Sequence, residues 1–102
     1  MPGFGRAFSS MKADRKLTKE ELIREIRFMI SSEYEAVQLY TQLAESIDDQ
    51  VAKAVLLDVA KEEIVHAGEF LKLLIYLYPE EEKLYQDGAK EVNEMIEKFG
   101  KK

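Results

Sequence analysis

Two long segments of the sequence carry apolar residues at alternating steps of four and three, and a two-residue break separates them. The first segment covers residues 22–47 and the second covers residues 52–77. Such steps place apolar side chains on one face of an α-helix, whereas a strand would need a period of two. Asp48 and Asp49 interrupt the pattern and can cap the second helix. The sequence therefore predicts an antiparallel hairpin of two helices, each about 40 Å long.

The ends of this hairpin carry local signals. Thr18 offers an N-cap for the first helix, and Glu21, three residues later, completes a capping box. Pro79 should end the second helix, because proline disfavours helical backbone at the residue before it. Residues 1–17 contain proline, glycine and serine without a sustained period. We predict that they form a flexible N-terminal arm.

The C-terminal region is predicted to hold a short third helix. Residues 80–86 are expected to form one short turn of helix, which the pair Asp87-Gly88 should break. Residues 89–99 then place valine, methionine, isoleucine and phenylalanine on one face before a terminal glycine. The predicted fold class is all-α: an antiparallel two-helix hairpin plus a short C-terminal helix, in one domain over residues 18–99.

The composition excludes several classes of function. The 102-residue chain has no cysteine, which excludes a disulfide framework, a thiolate zinc site, an iron–sulfur cluster and a catalytic thiol. Its net charge of −5 argues against nucleic-acid binding and should attract cations. The longest apolar run, residues 73–78, is too short to span a bilayer, and no signal segment is visible. We therefore expect a soluble intracellular protein with neither a nucleic-acid nor a membrane partner.

Side chains that can bind metals interrupt both apolar patterns at the same height. Glu63 and His66, the only histidine, take two consecutive positions of the second pattern, and Glu33 takes one position of the first. Residues three apart share a helix face, which here should point inward. If the turn centres on Asp48, Glu33 and Glu63 lie equally far before and after it, so the three side chains should converge. Unpaired charges are costly to bury, and a bound cation would make such a group favourable.

This group is half of the ligand set found in di-iron carboxylate bundles. Those bundles use one Glu from each of two helices and a Glu-x-x-His from each of two others. Two copies of the hairpin, packed by symmetry, would form a four-helix bundle with the complete set. Carboxylates with imidazole suit iron or manganese better than metals that prefer soft ligands. Tyr40, two turns along the same face from Glu33, can place its hydroxyl near the site.

Simpler explanations apply to the single residues better than to the group. A lone Glu on an apolar stripe usually turns outward, and a lone His there is usually a satisfied core residue. The joint placement favours a metal site, and Glu35 beside it can guide incoming metal. Glu62 and Glu69 are expected on a solvated face or in support of the ligands. The alternative without metal is a helical oligomerisation module whose Glu and His fix the register.

The segments around these residues resemble a known family. Residues 33–40, EYEAVQLY, and residues 62–70, EEIVHAGEF, are similar at their spacing to the encapsulated ferritin-like proteins. The similarity covers about residues 18–80. Glu-x-x-His alone is shared by all ferritin-like proteins. Its connection through a single hairpin to Glu-x-Glu-Ala-x-x-x-Tyr is fairly specific for this half-length branch.

The resemblance implies a two-helix ferritin with a ferroxidase centre between two subunits. Fe(II) would be oxidised to Fe(III) there, with two irons bound per dimer. The family ligands match Glu33, Glu63 and His66, with Tyr40 near the iron. A rubrerythrin-like peroxidase is the alternative enzyme class, although the rubredoxin part of such proteins needs cysteines.

The resemblance also implies how the protein assembles. Homodimers would form a ring-like decamer, and an encapsulin shell protein would enclose it, so the expected location is a nanocompartment in the cytoplasm. Iron storage would take place inside that shell, because an open ring cannot hold a mineral core. Ser32 and Leu39 stand where relatives can carry an acid and an aromatic residue, so this chain departs from the family pattern beside the site.

Overall fold

The computed structural model describes residues 14–100, which fold into three α-helices without a strand. These are α1 (Lys19–Glu45), α2 (Gln50–Leu77) and α3 (Glu80–Phe99). The predicted all-α fold of a hairpin plus a C-terminal helix is confirmed. Of the predicted N-terminal arm, residues 1–13 lie outside the described residues. Within the described range, no helix has the apolar length that crossing a bilayer requires.

The capping box that was predicted at the start of α1 is present. The hydroxyl of Thr18 accepts a hydrogen bond from the Glu21 N–H at 3.2 Å, and the Glu21 carboxylate accepts one from the Thr18 N–H at 2.8 Å. Arg15 donates to both carboxylate oxygens of Glu21, at 2.8 Å and 2.7 Å. The Arg15 guanidinium and the Thr18 N–H together lower the pKa of Glu21 to about 2. The chain is therefore anchored just before the first helix begins.

The turn between the two long helices is short. α1 ends at Glu45, two residues before the predicted end, and the Ser46 N–H closes the last turn on the Leu43 carbonyl at 3.0 Å. Asp49 caps α2, because its carboxylate accepts a hydrogen bond from the Ala52 N–H at 2.8 Å. A short connection of this kind returns the chain antiparallel to α1, which fixes the relative height of the residues on the two helices.

The line of contact between α1 and α2 differs from the prediction. The buried residues of α2 are Ala60, Ala67 and Leu74, each one residue after a predicted core position. The predicted core residues Val59 and Leu73 are 37% and 38% exposed. Two packed helices bury only a narrow strip of each other's surface, and the apolar face of this hairpin is wider than that strip. The small alanines of α2 let the two helices approach closely. The predicted apolar stripe therefore lies along one side of the α1–α2 contact.

This side of the hairpin is called the ligand face below. It is formed by partly or largely exposed side chains of the predicted stripes, namely Leu22, Met29, Ala36, Leu43, Val59 and Leu73. The core beneath it is small, since the buried cluster contains only Ile26, Ile30 and Leu74, with partly buried side chains such as Phe70 packed against it. A single copy of the described chain thus leaves a broad apolar surface in contact with water.

The third helix is continuous, so the predicted break at Asp87-Gly88 is wrong. Glycine inside a helix costs about 1 kcal/mol relative to alanine, which one position alone does not turn into a helix end. The acidic first turn of α3 interacts favourably with the helix dipole and supports the helix from its start. Of the α3 residues, Glu81 is the one that is buried. The rest of α3 therefore projects from the hairpin.

A cluster of three polar side chains fastens α3 to α1. The Arg27 guanidinium donates to both carboxylate oxygens of Glu81, at 2.5 Å and 3.3 Å, and the Tyr85 hydroxyl donates to the same carboxylate. Arg27 lowers the pKa of Glu81. Burial, and then the Glu81 carboxylate, raise the pKa of Tyr85 to about 12. This cluster has no signature in the sequence, because Arg27 lies 54 residues before Glu81 in the chain.

Candidate metal centre

The structure brings Glu33 of α1 together with Glu63 and His66 of α2. One atom of each residue that can bind a metal lies within 4.8 Å of the corresponding atoms of the other two. His66 Nδ1 is 3.3 Å from Glu33 Oε2 and 3.6 Å from Glu63 Oε1. The three-residue spacing aligns the pair on α2, and the short turn brings Glu33 level with it. Two carboxylates and one imidazole thus surround a common point.

Within this group, the surroundings of Glu33 disfavour its charged form. Burial raises the pKa of its carboxyl, and the neighbouring carboxyl of Glu63 raises it further, while His66 acts in the opposite direction. Glu33 Oε2 is buried and accepts no hydrogen bond, although His66 Nδ1 lies 3.3 Å away from it. A buried polar atom without a hydrogen bond is costly and rare in folded proteins. A cation bound among the three residues would satisfy this oxygen and offset the repulsion between the carboxylates, so the residues fit a metal ion.

The three side chains lie at the border of the α1–α2 interface and are not enclosed by it. The side chains of Glu33 and Glu63 are 16% and 19% exposed, whereas that of His66 is 45% exposed. The prediction that the histidine points into the core of one hairpin is therefore wrong. The imidazole lies on the ligand face, because the contact line passes through Ala67 instead. The site has one closed side, formed by the hairpin, and one open side.

A groove of about 450 Å³ opens beside the imidazole. It is lined by Glu33, His66, Glu69, Phe70 and Leu73. Phe70 and Leu73 give it an apolar wall, and Glu69 adds a third carboxylate at its edge. The sequence predicts that Glu69 lies on a solvated face or supports the ligands. Its position three residues after His66 was the signal that it would lie on the same side of the helix.

The other two residues singled out from the sequence line a second groove, of about 580 Å³. Tyr40, partly buried, and Glu35, exposed, border it together with Glu63. The groove therefore connects an exposed acid to one of the two central carboxylates. Ser32 and Leu39, the two departures from the family pattern, also line it. The roles of Tyr40 and Glu35 in binding or guiding a metal remain predictions.

The comparisons with known proteins agree with the resemblance seen in the sequence. Residues 26–102 match the rubrerythrin family. The chain belongs to that family. This member of the rubrerythrin family also matches the crystal structure of an encapsulated ferritin domain from Pyrococcus furiosus. The TM-score is 0.81 and the sequence identity is 39%, covering 90% of this chain and 94% of that one. The likeness to the encapsulated ferritins is thus confirmed in both sequence and fold.

Two longer relatives connect this rubrerythrin-family chain to proteins of encapsulin shells. It is 43% identical over 82 residues to a ferritin-like-encapsulin shell fusion protein from Pyrococcus furiosus. It is 38% identical over 85 residues to the encapsulin nanocompartment cargo protein EncC from Myxococcus xanthus. These alignments cover 80% and 83% of this chain. The chain spans 24% of the length of the fusion protein and 60% of that of EncC.

Proposed function

We propose that this protein is a ferroxidase, which oxidises Fe(II) to Fe(III) with dioxygen at a di-iron centre shared by two copies of the chain. The observation that carries the proposal is the convergence of Glu33, Glu63 and His66 around a buried carboxylate oxygen that makes no hydrogen bond. The match to the rubrerythrin family supports iron as the metal. The donor set of two carboxylates and an imidazole suits iron on chemical grounds.

The incomplete ligand set is the reason for proposing a homodimer. Each hairpin offers one Glu and one Glu-x-x-His, whereas a di-iron bundle uses two of each. The site is open on the ligand face, where Val59 and Leu73 are more than a third exposed. A second hairpin, packed on this face by two-fold symmetry, would cover those apolar side chains and supply the missing ligands. The resemblance to encapsulated ferritins suggests five such dimers in a ring-like decamer.

In this proposal each side chain has a definite role toward the substrate iron. The negative carboxylates of Glu33 and Glu63 favour Fe(III) over Fe(II), because the ion of higher charge gains more from them. His66 presents Nδ1 to the same point, which requires the neutral imidazole with its proton on Nε2. Two Fe(II) ions lose one electron each, and dioxygen takes up the two electrons with two protons. The products are two Fe(III) ions and hydrogen peroxide.

The surrounding residues supply access and location. We propose that Glu35 attracts Fe(II) to the groove that it shares with Glu63, and that Tyr40 orients the ligands. The shell fusion protein and EncC support the further proposal that this protein works within an encapsulin shell in the cytoplasm. Such a shell would hold the oxidised iron for storage.

A peroxidase of the rubrerythrin type is the second candidate, because the same family match supports it. The ligand set would be the same, but hydrogen peroxide would replace dioxygen as the oxidant. The chain has no cysteine for the rubredoxin iron site that accompanies such peroxidases. The two activities are separated by supplying each oxidant in turn to the Fe(II)-loaded protein and comparing the rates at which Fe(III) forms.

The test of the ferroxidase proposal combines assembly with turnover. Native mass spectrometry with and without Fe(II) should show a dimer, or a multiple of it, that iron stabilises, since a ligand that binds only the assembled state favours that state. Aerobic Fe(II) oxidation should be lost in Glu33→Gln and kept in Glu45→Gln, a matched change at an exposed acid of the same helix. A monomer that oxidised iron at the wild-type rate, or an active Glu33→Gln, would contradict the proposal.

A further inference from the structure

The groove beside the candidate metal centre contains one carboxylate that takes no part in the proposed function. Of the five residues that line this groove, only Glu33, His66 and Glu69 have polar side chains. Phe70 and Leu73 form its apolar wall. Glu69 lies outside the group of three residues whose ligand atoms lie within 4.8 Å of one another. It is therefore beside the centre without being one of the residues that surround the proposed metal position.

The imidazole of His66 directs only one of its two nitrogens at the centre. Nδ1 lies 3.3 Å from Glu33 Oε2 and 3.6 Å from Glu63 Oε1. Nε2 is on the opposite edge of the ring, so it points away from these two carboxylates. The side chain is 45% exposed, which means that the hairpin does not enclose this second nitrogen. A hydrogen-bond partner for Nε2 must therefore come from outside the contact between α1 and α2.

Helix geometry places Glu69 within reach of this nitrogen. Glu69 comes three residues after His66 on α2, and residues at that spacing are neighbours on a helix surface. Side chains on a helix lean toward its N-terminus, so the Glu69 side chain leans back over the turn that holds His66. Glu69 is exposed, and exposed side chains change rotamer rapidly. Of the two carboxylates in the groove, Glu33 faces Nδ1, which leaves Glu69 for Nε2.

Metal binding at Nδ1 requires that the ring proton stay on Nε2. A neutral imidazole carries one proton, and a metal can bind Nδ1 only when that proton is on the other nitrogen. Without a metal, the carboxylates of Glu33 and Glu63 favour the proton on Nδ1, because it can interact with them there. An acceptor at Nε2 opposes this preference. A carboxylate is the most effective acceptor, since hydrogen bonds to a charged group are about twice as strong as neutral ones.

We propose that the Glu69 carboxylate accepts a hydrogen bond from the Nε2–H of His66 and so positions the imidazole for the metal. This role rests on the proposed function, because it requires a metal at Nδ1, and it adds a positioning residue to that function. Glu69 fixes the tautomer and the orientation of the ring, and its negative charge makes Nδ1 a more basic ligand. A more basic ligand favours Fe(III) over Fe(II), which is the direction of the proposed oxidation.

The first measurement is the affinity for Zn(II) alone, which has no redox chemistry. Glu69→Ala removes the acceptor and should weaken Zn(II) binding about 10- to 100-fold, the usual effect of losing such a partner. Glu69→Gln keeps an oxygen that can accept the same hydrogen bond, so its loss should stay within about fivefold. Asp58→Ala removes one negative charge from an exposed position of the same helix. This control should bind Zn(II) as tightly as wild type.

The second measurement observes the hydrogen bond itself, which is possible because His66 is the only histidine of the chain. Isotopic labelling of histidine nitrogen gives signals from one ring alone, and solid-state NMR detects them whatever the size of the assembly. In the Zn(II)-loaded wild type, Nδ1 should carry the metal, and the proton on Nε2 should be shifted downfield by the carboxylate. Glu69→Ala should move that proton upfield, because water replaces the carboxylate, and Asp58→Ala should leave it in place.

The possible failures distinguish this role from the proposed function. If Zn(II) bound Nδ1 of wild type but Glu69→Ala left either the affinity or the Nε2–H proton unchanged, the role of Glu69 would be overturned and the metal centre would stand. Equal losses of affinity in Glu69→Gln and Glu69→Ala would also overturn it, because Glu69 would then bind the metal directly. If Zn(II) did not bind Nδ1 of wild type, both the metal centre and the role of Glu69 would be contradicted.

Discussion

His66 Nδ1 lies 3.3 Å from Oε2 of Glu33, although the two residues belong to different helices. The α1–α2 turn brings the two residues level along the helix axes. The small alanines between the helices let the two side chains come this close. No residue of α3 takes part in it. The hairpin alone therefore brings together this half of the proposed di-iron ligand set. When no metal is bound, the repulsion between the carboxylates has an electrostatic cost that destabilises the hairpin.

The first prediction concerns that cost. Glu33→Gln should abolish iron binding and leave the metal-free protein as stable as wild type or more stable, by up to about 1 kcal/mol. The reason is that burial and Glu63 disfavour the charged form of Glu33, as its raised pKa indicates, and the amide removes the charge at nearly constant shape. Thermal melting in a chelator should show an unchanged or slightly higher Tm.

Glu45→Gln serves as the control, because it makes the same chemical change on an exposed part of α1. It should change neither the Tm nor iron binding. A Glu33→Gln protein that melts well below wild type in chelator would mean that the carboxylate stabilises the fold without metal. The oligomerisation-module alternative predicts that result, together with mixed assembly states.

The second prediction concerns Tyr40, which lies on the groove beside Glu63. Tyr40→Phe should keep the fold, the assembly and the bound iron, and should change the rate of Fe(II) oxidation. The hydroxyl is expected to orient ligands by hydrogen bonding, and such a contribution is worth about 1 kcal/mol, or roughly a factor of five in rate. Metal analysis and stopped-flow oxidation of the same sample measure the two effects separately. Complete loss of iron would promote Tyr40 to an essential ligand.

The fold and the level of the three candidate ligands could be predicted because both depend on local rules. Helical periodicity predicted the two long helices, the capping box predicted the start of α1, and a turn centred on Asp48 predicted that Glu33 lies level with Glu63. These features depend on residues close in sequence, or on counting an equal number of residues to either side of one turn. They are insensitive to how tightly the helices pack.

The exposure of His66 and the anchoring of α3 could not be predicted, for a different reason. Periodicity fixes which residues share a face, but it does not say which part of a wide apolar face contacts the neighbouring helix. Here Ala67, next to His66, lies at the contact with α1. The pairing of Arg27 with Glu81 depends on the angle at which α3 leaves the hairpin, and that angle has no periodic signature in the sequence.

The third prediction is a pH dependence of the α3 anchor. The pKa of Tyr85 is raised to about 12 from an ordinary value of 10.0, so the folded state favours the neutral phenol. Its stabilising contribution is complete below about pH 10 and is lost as the pH rises through about 12. Glu81, whose pKa is lowered, contributes above its ordinary value of 4.5 and loses that contribution as the pH falls below it.

Ultraviolet absorbance of tyrosinate during an alkaline titration measures the ionisation of Tyr85 directly. Tyr85→Phe should remove the most alkaline phase of the titration, whereas Tyr76→Phe, at a 78% exposed residue, should leave that phase in place. Arg27→Ala should shift the phase, because the pair that holds the Glu81 carboxylate beside the phenol is gone. An unchanged titration in Tyr85→Phe would show that the hydroxyl is not held by Glu81.

The fourth prediction separates the stability of the hairpin from that of α3 with one substitution made in each. Gly68 of α2 and Gly88 of α3 are both helical, and an added Cβ at either would meet nothing within 4 Å. Alanine should therefore stabilise each helix by about 0.5–1 kcal/mol. Gly68→Ala should raise the Tm by about 2–8 °C, since α2 unfolds together with α1. Gly88→Ala should leave the Tm unchanged but slow hydrogen exchange in α3 up to about fivefold, because that helix opens locally.

Equal rises in Tm would mean that α3 unfolds with the hairpin, and a loss of helix in Gly88→Ala would restore the break expected from the sequence.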